Sequence, residues 1–79
     1  MAKSAELLKL GKAIKYLREQ RGITQEQFAF SCGLDRTYIS DLERGNRNVS
    51  YIGLTKLANG LSVSVSEMLA NIDEIPSTD

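Results

Sequence analysis

Seventy-nine residues suffice for one domain, yet a chain this short hides only about 60% of the surface its unfolded form exposes, so help from a partner subunit is expected. One cysteine and no histidine exclude a disulfide framework and a tetrahedral zinc site, and no metal or cofactor is expected. The formal net charge is zero, but all ten basic residues lie at or before Lys56 against six acids, while residues 57–79 carry four acids and no base.

Gly22, Gly33, Gly45 and Gly60 each follow a stretch of helical apolar spacing and read as left-handed residues closing helices, which predicts five short helices. The first spans about Glu6 to Arg21, with Leu7, Leu10, Ile14 and Leu17 on one stripe and Lys9, Lys12, Lys15 and Glu19 toward water. Gly11 inside it costs roughly 1 kcal/mol relative to alanine and marks either a close helix approach or a kink. A second helix starts at the capping box Thr24-Gln25-Glu26-Gln27 and ends near Cys32. A third opens at Asp35, whose carboxylate is expected to cap it, and runs to Arg44 with Ile39 and Leu42 as its only large aliphatics. Ser50 caps a fourth bearing Leu54, Leu57, Ala58 and Leu61, and Ser64-Val65-Ser66-Glu67 is a capping box for the fifth. Pro76 ends any continuation, leaving 76–79 as a tail.

No strand pattern, repeat or linker interrupts this series. The expectation is a single all-α, five-helix domain over 1–79 with an ordered core from 6 to 72. Its core is expected from Leu10, Ile14, Leu17, Ile23, Phe28, Ala29, Leu34, Ile39, Leu42, Leu54, Leu57 and Leu61, with Cys32 as a small packed thiol. The N-terminus lacks the apolar stretch of a secretory signal, and no apolar run approaches the roughly eighteen residues that cross a bilayer, so a soluble, cytoplasmic protein without membrane contact is expected.

The informative segment is Thr24 to Ser50. Two helices too short to stand alone, joined by Cys32-Gly33-Leu34, have the layout of a helix-turn-helix. Burying Ile39 and Leu42 leaves Arg36, Thr37, Ser40 and Asp41 on the opposite face, polar enough to enter a groove. Arginine can give two parallel hydrogen bonds to guanine and the threonine methyl can pack on a thymine methyl. Asp41 could accept from a cytosine amine but would repel phosphate. A surplus of four positive charges through residue 56 fits a polyanion, and fits an ordinary solvated surface as well.

From roughly Leu7 to Leu69 the chain resembles the phage-repressor type of helix-turn-helix family, through Arg18, Gly22, Thr24-Gln25, Ala29, Gly33-Leu34, Ile39-Ser40, Leu42-Glu43-Arg44-Gly45 and Leu57. More narrowly, Leu34-Asp35-Arg36-Thr37-Tyr38-Ile39-Ser40 with Glu43-Arg44 and Arg47-Asn48 resembles the controller proteins of restriction-modification systems. Phe28, Phe30, Gly53 and Gly60 depart from the family's usual residues. The resemblance implies a dimeric, sequence-specific regulator of double-stranded DNA that acts at its own promoter, with RNA polymerase a candidate partner. It places Arg36 and Thr37 against bases, and Ser40 and Asp41 on the same face could extend the reading. Gln25, Tyr38, Arg44, Arg47, Asn48 and Ser50 would face phosphates, with Tyr38 alternatively a half-buried aromatic and Arg44 alternatively bound to the third helix's last carbonyls. It makes Arg18 and Glu43 a buried ion pair positioning the third helix.

Val63, Val65, Met68, Leu69, Ile72 and Ile75 offer more apolar surface than a four-helix core covers and are the expected dimer interface. Two-fold pairing would set the reading helices about 34 Å apart on a pseudo-palindromic site. An enzyme is not expected, because Asp35 and Asp41 do not converge and no histidine or glycine-rich phosphate loop exists. A phage-type repressor, an antitoxin-like regulator and a protein-interaction module on the same fold remain open alternatives.

Overall fold

The computed structural model describes residues 4–70 and 72–74. Its elements are α1 (Ala5–Gln20), α2 (Gln25–Cys32), α3 (Arg36–Glu43), α4 (Tyr51–Leu61) and α5 (Val65–Leu69), followed by a 3₁₀ turn over Ile72–Glu74. No strand occurs among the described residues. The expected tail, 76–79, lies outside them.

Caps set most boundaries. The Ser4 hydroxyl accepts from the Leu7 amide at 3.3 Å, so α1 begins one residue before the expected start. Thr24 and Gln27 form the reciprocal box at 3.0 and 2.8 Å, and Ser64 and Glu67 form another at 3.1 and 2.9 Å. Ser50 accepts from the Gly53 amide at 3.0 Å. Asp35 departs from expectation: it occupies the cap position of α3, but its side chain makes no cap hydrogen bond. An eight-residue helix is instead held by the side chains it buries, Ile39, Leu42 and Glu43.

The helix-turn-helix corner rests on Gly33, whose φ of 70° is left-handed and lets the Leu34 amide reach back to the Ala29 carbonyl at 2.9 Å. Gly60 was expected to play the same part and does not. It lies inside α4, and Ser62, with φ 61°, closes that helix instead. The reason for glycine at position 60 is space: a Cβ there would collide with Cys32 Sγ and lie 3.1 Å from Phe28 Cε1. Phe28, large and fully buried, is thus accommodated by the missing side chain across from it. Gly11 resolves in the same way, as a close approach and not a kink. A Cβ on it would run into the Leu42 carbonyl oxygen and sit 2.8 Å from that of Glu43, so its absence lets α1 rest on the end of α3.

Ile14, Phe28, Ile39, Leu42, Leu57 and Leu61 form the sealed centre, joined by Ala29, Cys32, Ala58 and Met68. Leu10, Leu17, Ile23, Leu34 and Leu54, expected inside, pack half-buried around it. Burial pushes the Cys32 thiol up to about 11, which keeps it protonated near neutral pH. Met68 corrects the expected dimer surface. It is 2% exposed within one chain, because α5 packs on α4 and turns this side chain into the core.

Arg18 and Glu43, both 8% exposed, join α1 to the end of α3. Arg18 Nε and Nη2 donate to the two Glu43 oxygens at 2.7 and 3.0 Å, and Nη1 donates to the Ile23 carbonyl at 2.8 Å. Gln25 Nε2, from the start of α2, donates to Glu43 Oε1 at 2.9 Å. The Glu43 hydrogen bonds raise the Arg18 pKa against the opposing effect of burial, so the guanidinium stays charged.

Two stability outcomes are expected. Gly11→Ala should lower stability by about 1–3 kcal/mol in urea unfolding, although alanine at an unhindered helical site would raise it. Glu43→Leu alone, which strands the Arg18 charge, should cost about 3–5 kcal/mol, and Arg18→Met combined with Glu43→Leu should cost less than that single change.

Candidate nucleic-acid interface

The third helix is divided along its length. Ile39 and Leu42 are sealed in the core and Glu43 is tied to Arg18, so the inward side cannot rotate. The outward side carries Arg36, Thr37, Ser40, Asp41 and, just past the helix, Arg44, at helical spacings that align them on one face. Arg36 and Thr37 are exposed and make no hydrogen bond or ion pair with any described residue. They present free donors at the beginning of the helix.

Ser40 and Asp41 are half-buried and have intramolecular partners. Arg44 Nη1 donates to Ser40 Oγ at 2.8 Å and Nη2 to Asp41 Oδ1 at 2.7 Å. Asp41 Oδ2 lies 3.6 Å from Arg47 Nη2, and the Arg47 guanidinium stands 4.7 Å over the Tyr38 ring. That ring is half-buried against the core. Its hydroxyl reaches the start of α4, where a Cβ on Gly53 would lie 3.0 Å from it. Gly53, inside the fourth helix, is therefore part of the Tyr38 seat.

The other expected phosphate-facing residues lie at two places. Asn48 is exposed in the loop after α3, with no partner among the described residues. Ser50 is also exposed, and because its oxygen accepts from Gly53, its hydroxyl hydrogen is left to donate outward. Gln25 is not free as expected but bound to Glu43, although its amide nitrogen keeps a second hydrogen. The structure brings together Tyr38, Ser40, Asp41, Arg44 and Arg47. It sets Arg36 and Thr37 apart as unpaired groups and Gln25 into the ion-pair network.

On the expected dimer face, Val63, Val65 and Leu69 lie half-buried over the core, and Ile72 is half-buried in the 3₁₀ turn. Lys9 fastens that turn to α1 through a 2.6 Å bond to Asp73. Ile75 lies outside the described residues. Among the described residues, the large apolar side chains left most open are instead Phe30, Tyr51 and Ile52, which periodicity alone did not single out.

The sequence and the fold are similar to those of known proteins. A helix-turn-helix family model matches residues 14–68. Control protein C.MunI of Mycoplasma sp is 40% identical over 68 residues, covering 85% of this chain and 92% of that one. The crystal structure of the restriction-modification controller protein C.AhdI from Aeromonas hydrophila superposes with a TM-score of 0.79 at 43% identity, over 82% of this chain and 98% of that one. The controller protein C.Esp1396I, solved as a tetramer in complex with its natural 35 base-pair operator, superposes with a TM-score of 0.85 at 38% identity, over 91% and 95% of the two chains. A chain with this divided third helix, this buried ion pair and these relatives belongs to the helix-turn-helix family, alongside the control proteins of restriction-modification systems.

Proposed function

We propose that this chain is a dimeric, sequence-specific DNA-binding regulator that controls transcription of its own restriction-modification operon. The observation that carries the reading is the unpaired Arg36–Thr37 edge on a helix whose opposite side is locked in the core. A group meant to read bases must project from a rigid support and be free to bond, and these two residues meet both conditions. Ser40 extends the reading one turn further along. Arg44, Arg47, Asn48 and the Ser50 hydroxyl flank the helix as phosphate donors. Gln25 bridges Glu43 and a phosphate through its two amide hydrogens, so the ion-pair network registers the backbone contact directly. That a relative was solved as a tetramer on its operator supports two such dimers on one duplex; in the proposed scheme, filling one site activates transcription and filling a second represses it.

Pairing of two chains is proposed through the half-buried faces of Val63, Val65, Leu69 and Ile72, without Met68. Each half alone holds too few contacts for specificity, and two-fold symmetry doubles them.

The test is fluorescence anisotropy with a duplex from the region upstream of the chain's own coding sequence and with a random duplex. Wild-type affinity for the upstream duplex should fall steeply between about 50 and 200 mM salt. Arg36→Ala should lower specific affinity at least tenfold, about 1.4–3 kcal/mol, with an unchanged circular dichroism spectrum and an unchanged sedimentation mass of two chains. Unaltered discrimination between the two duplexes would remove Arg36 from base reading, and salt-insensitive binding would favour a protein-docking role for the same face.

A further inference from the structure

Asp41 is an anomaly on a face turned toward a polyanion: a carboxylate in the middle of the residues that should meet phosphate. Its surroundings give it work other than reading a base. One oxygen accepts from Arg44 at 2.7 Å, and the other lies 3.6 Å from Arg47. Asp41 is the more sheltered of the three, with its side chain 28% exposed against 58% for Arg44 and 43% for Arg47, so the carboxylate sits beneath two guanidinium heads that face outward. Each head has a second fixed contact, Arg44 on Ser40 Oγ at 2.8 Å and Arg47 over the Tyr38 ring at 4.7 Å. Tyr38 is in turn seated against Gly53.

We propose that Asp41 is a specificity-determining residue, an internal stand-in for phosphate that competes with the duplex backbone for Arg44 and Arg47. The inference rests on α3 being the DNA-facing helix. In an arbitrary docking pose, a phosphate must displace the carboxylate from its arginines and then face its negative charge, so one ion pair is exchanged for another with repulsion added. In the productive pose Asp41 need not be displaced. A guanidinium carries five N–H donors, so each arginine can hold Asp41 with one edge and a phosphate with another. Asp41 therefore weakens binding to random sequence, which is almost wholly electrostatic, more than binding to the operator.

The experiment compares wild type and Asp41→Asn on a random-sequence duplex and on a duplex selected by the wild-type chain from a random pool, by anisotropy across about 50–200 mM salt. Random-duplex affinity should rise about three- to tenfold in the variant and selected-duplex affinity by less than about twofold, so discrimination falls. In an Arg44→Gln, Arg47→Gln background the same substitution should leave random-duplex affinity unchanged within about twofold, because the competed-for groups are gone. Asp41→Ser repeats the test with a different polar side chain, and thermal melting checks that each variant is folded. An equal gain on both duplexes, or a gain that persists without the two arginines, would overturn the proposal, since the carboxylate would then act only as a general negative charge. A loss confined to the selected duplex would overturn it in favour of base reading by Asp41. Failure of the wild type to bind either duplex would instead remove the reading of α3 itself.

Discussion

One carboxylate holds the recognition apparatus in place. Glu43, at the last turn of α3, accepts from Arg18 of α1 and from Gln25 of α2, so three helices meet at two oxygen atoms. A buried ion pair seldom adds much net stability, because withdrawing two charges from water cancels most of their attraction. What it imposes is geometry. The planar guanidinium accepts the carboxylate in one orientation, every buried side-chain polar atom among the described residues has a partner, and α3 is thereby fixed in both rotation and register against the rest of the domain. Gly11 complements this by letting α1 touch the same end of α3 backbone to backbone. Position comes from the ion pair, and proximity comes from the glycine.

That fixed frame separates the outward residues into two kinds. At the start of α3 the side chains are unencumbered, and at its end they are already engaged with one another. A base-reading group gains from being free until the right edge presents itself. Phosphate donors do better when held in place, since long charged side chains lose considerable rotamer freedom on binding. The ring of Tyr38, with Arg47 above it and α4 behind it, supplies that restraint on the side of the loop.

The parts of this structure that were legible in the sequence are those written in local spacing. Capping boxes at Thr24 and Ser64, the cap at Ser50, the left-handed glycine at the helix-turn-helix corner and the inward pair Ile39 and Leu42 each depend on residues a few positions apart. Contacts across the fold were not legible in local spacing: the Arg18–Glu43 pair was reached only through the family resemblance, and the others were missed. Gln25 and Glu43 lie eighteen positions apart and nothing local joins them. The room that Gly60 makes for Phe28 is visible only once α2 and α4 are packed, and two residues that each looked out of place account for one another. Met68 shows a different limit. Apolar spacing on α5 marks a buried face, but it does not say whether the burying surface is the same chain or its partner, and here it is the same chain. The pairing of Asp41 with Arg44, three apart on a helical path, was within reach of a local rule, but the expectation of a base contact at Asp41 obscured it.

The split of α3 into a locked half and an open half also bears on how such a protein changes over generations. Positions 36 and 37 are exposed and make no hydrogen bond or ion pair with a described residue, so on the proposed reading of α3 substitutions there would shift which nucleotides are preferred while leaving the scaffold's free energy nearly untouched. Drift at those two sites can therefore give descendants with mutually exclusive targets. Several such regulators can then coexist in one cell without crosstalk, and none of them has to rebuild its interior.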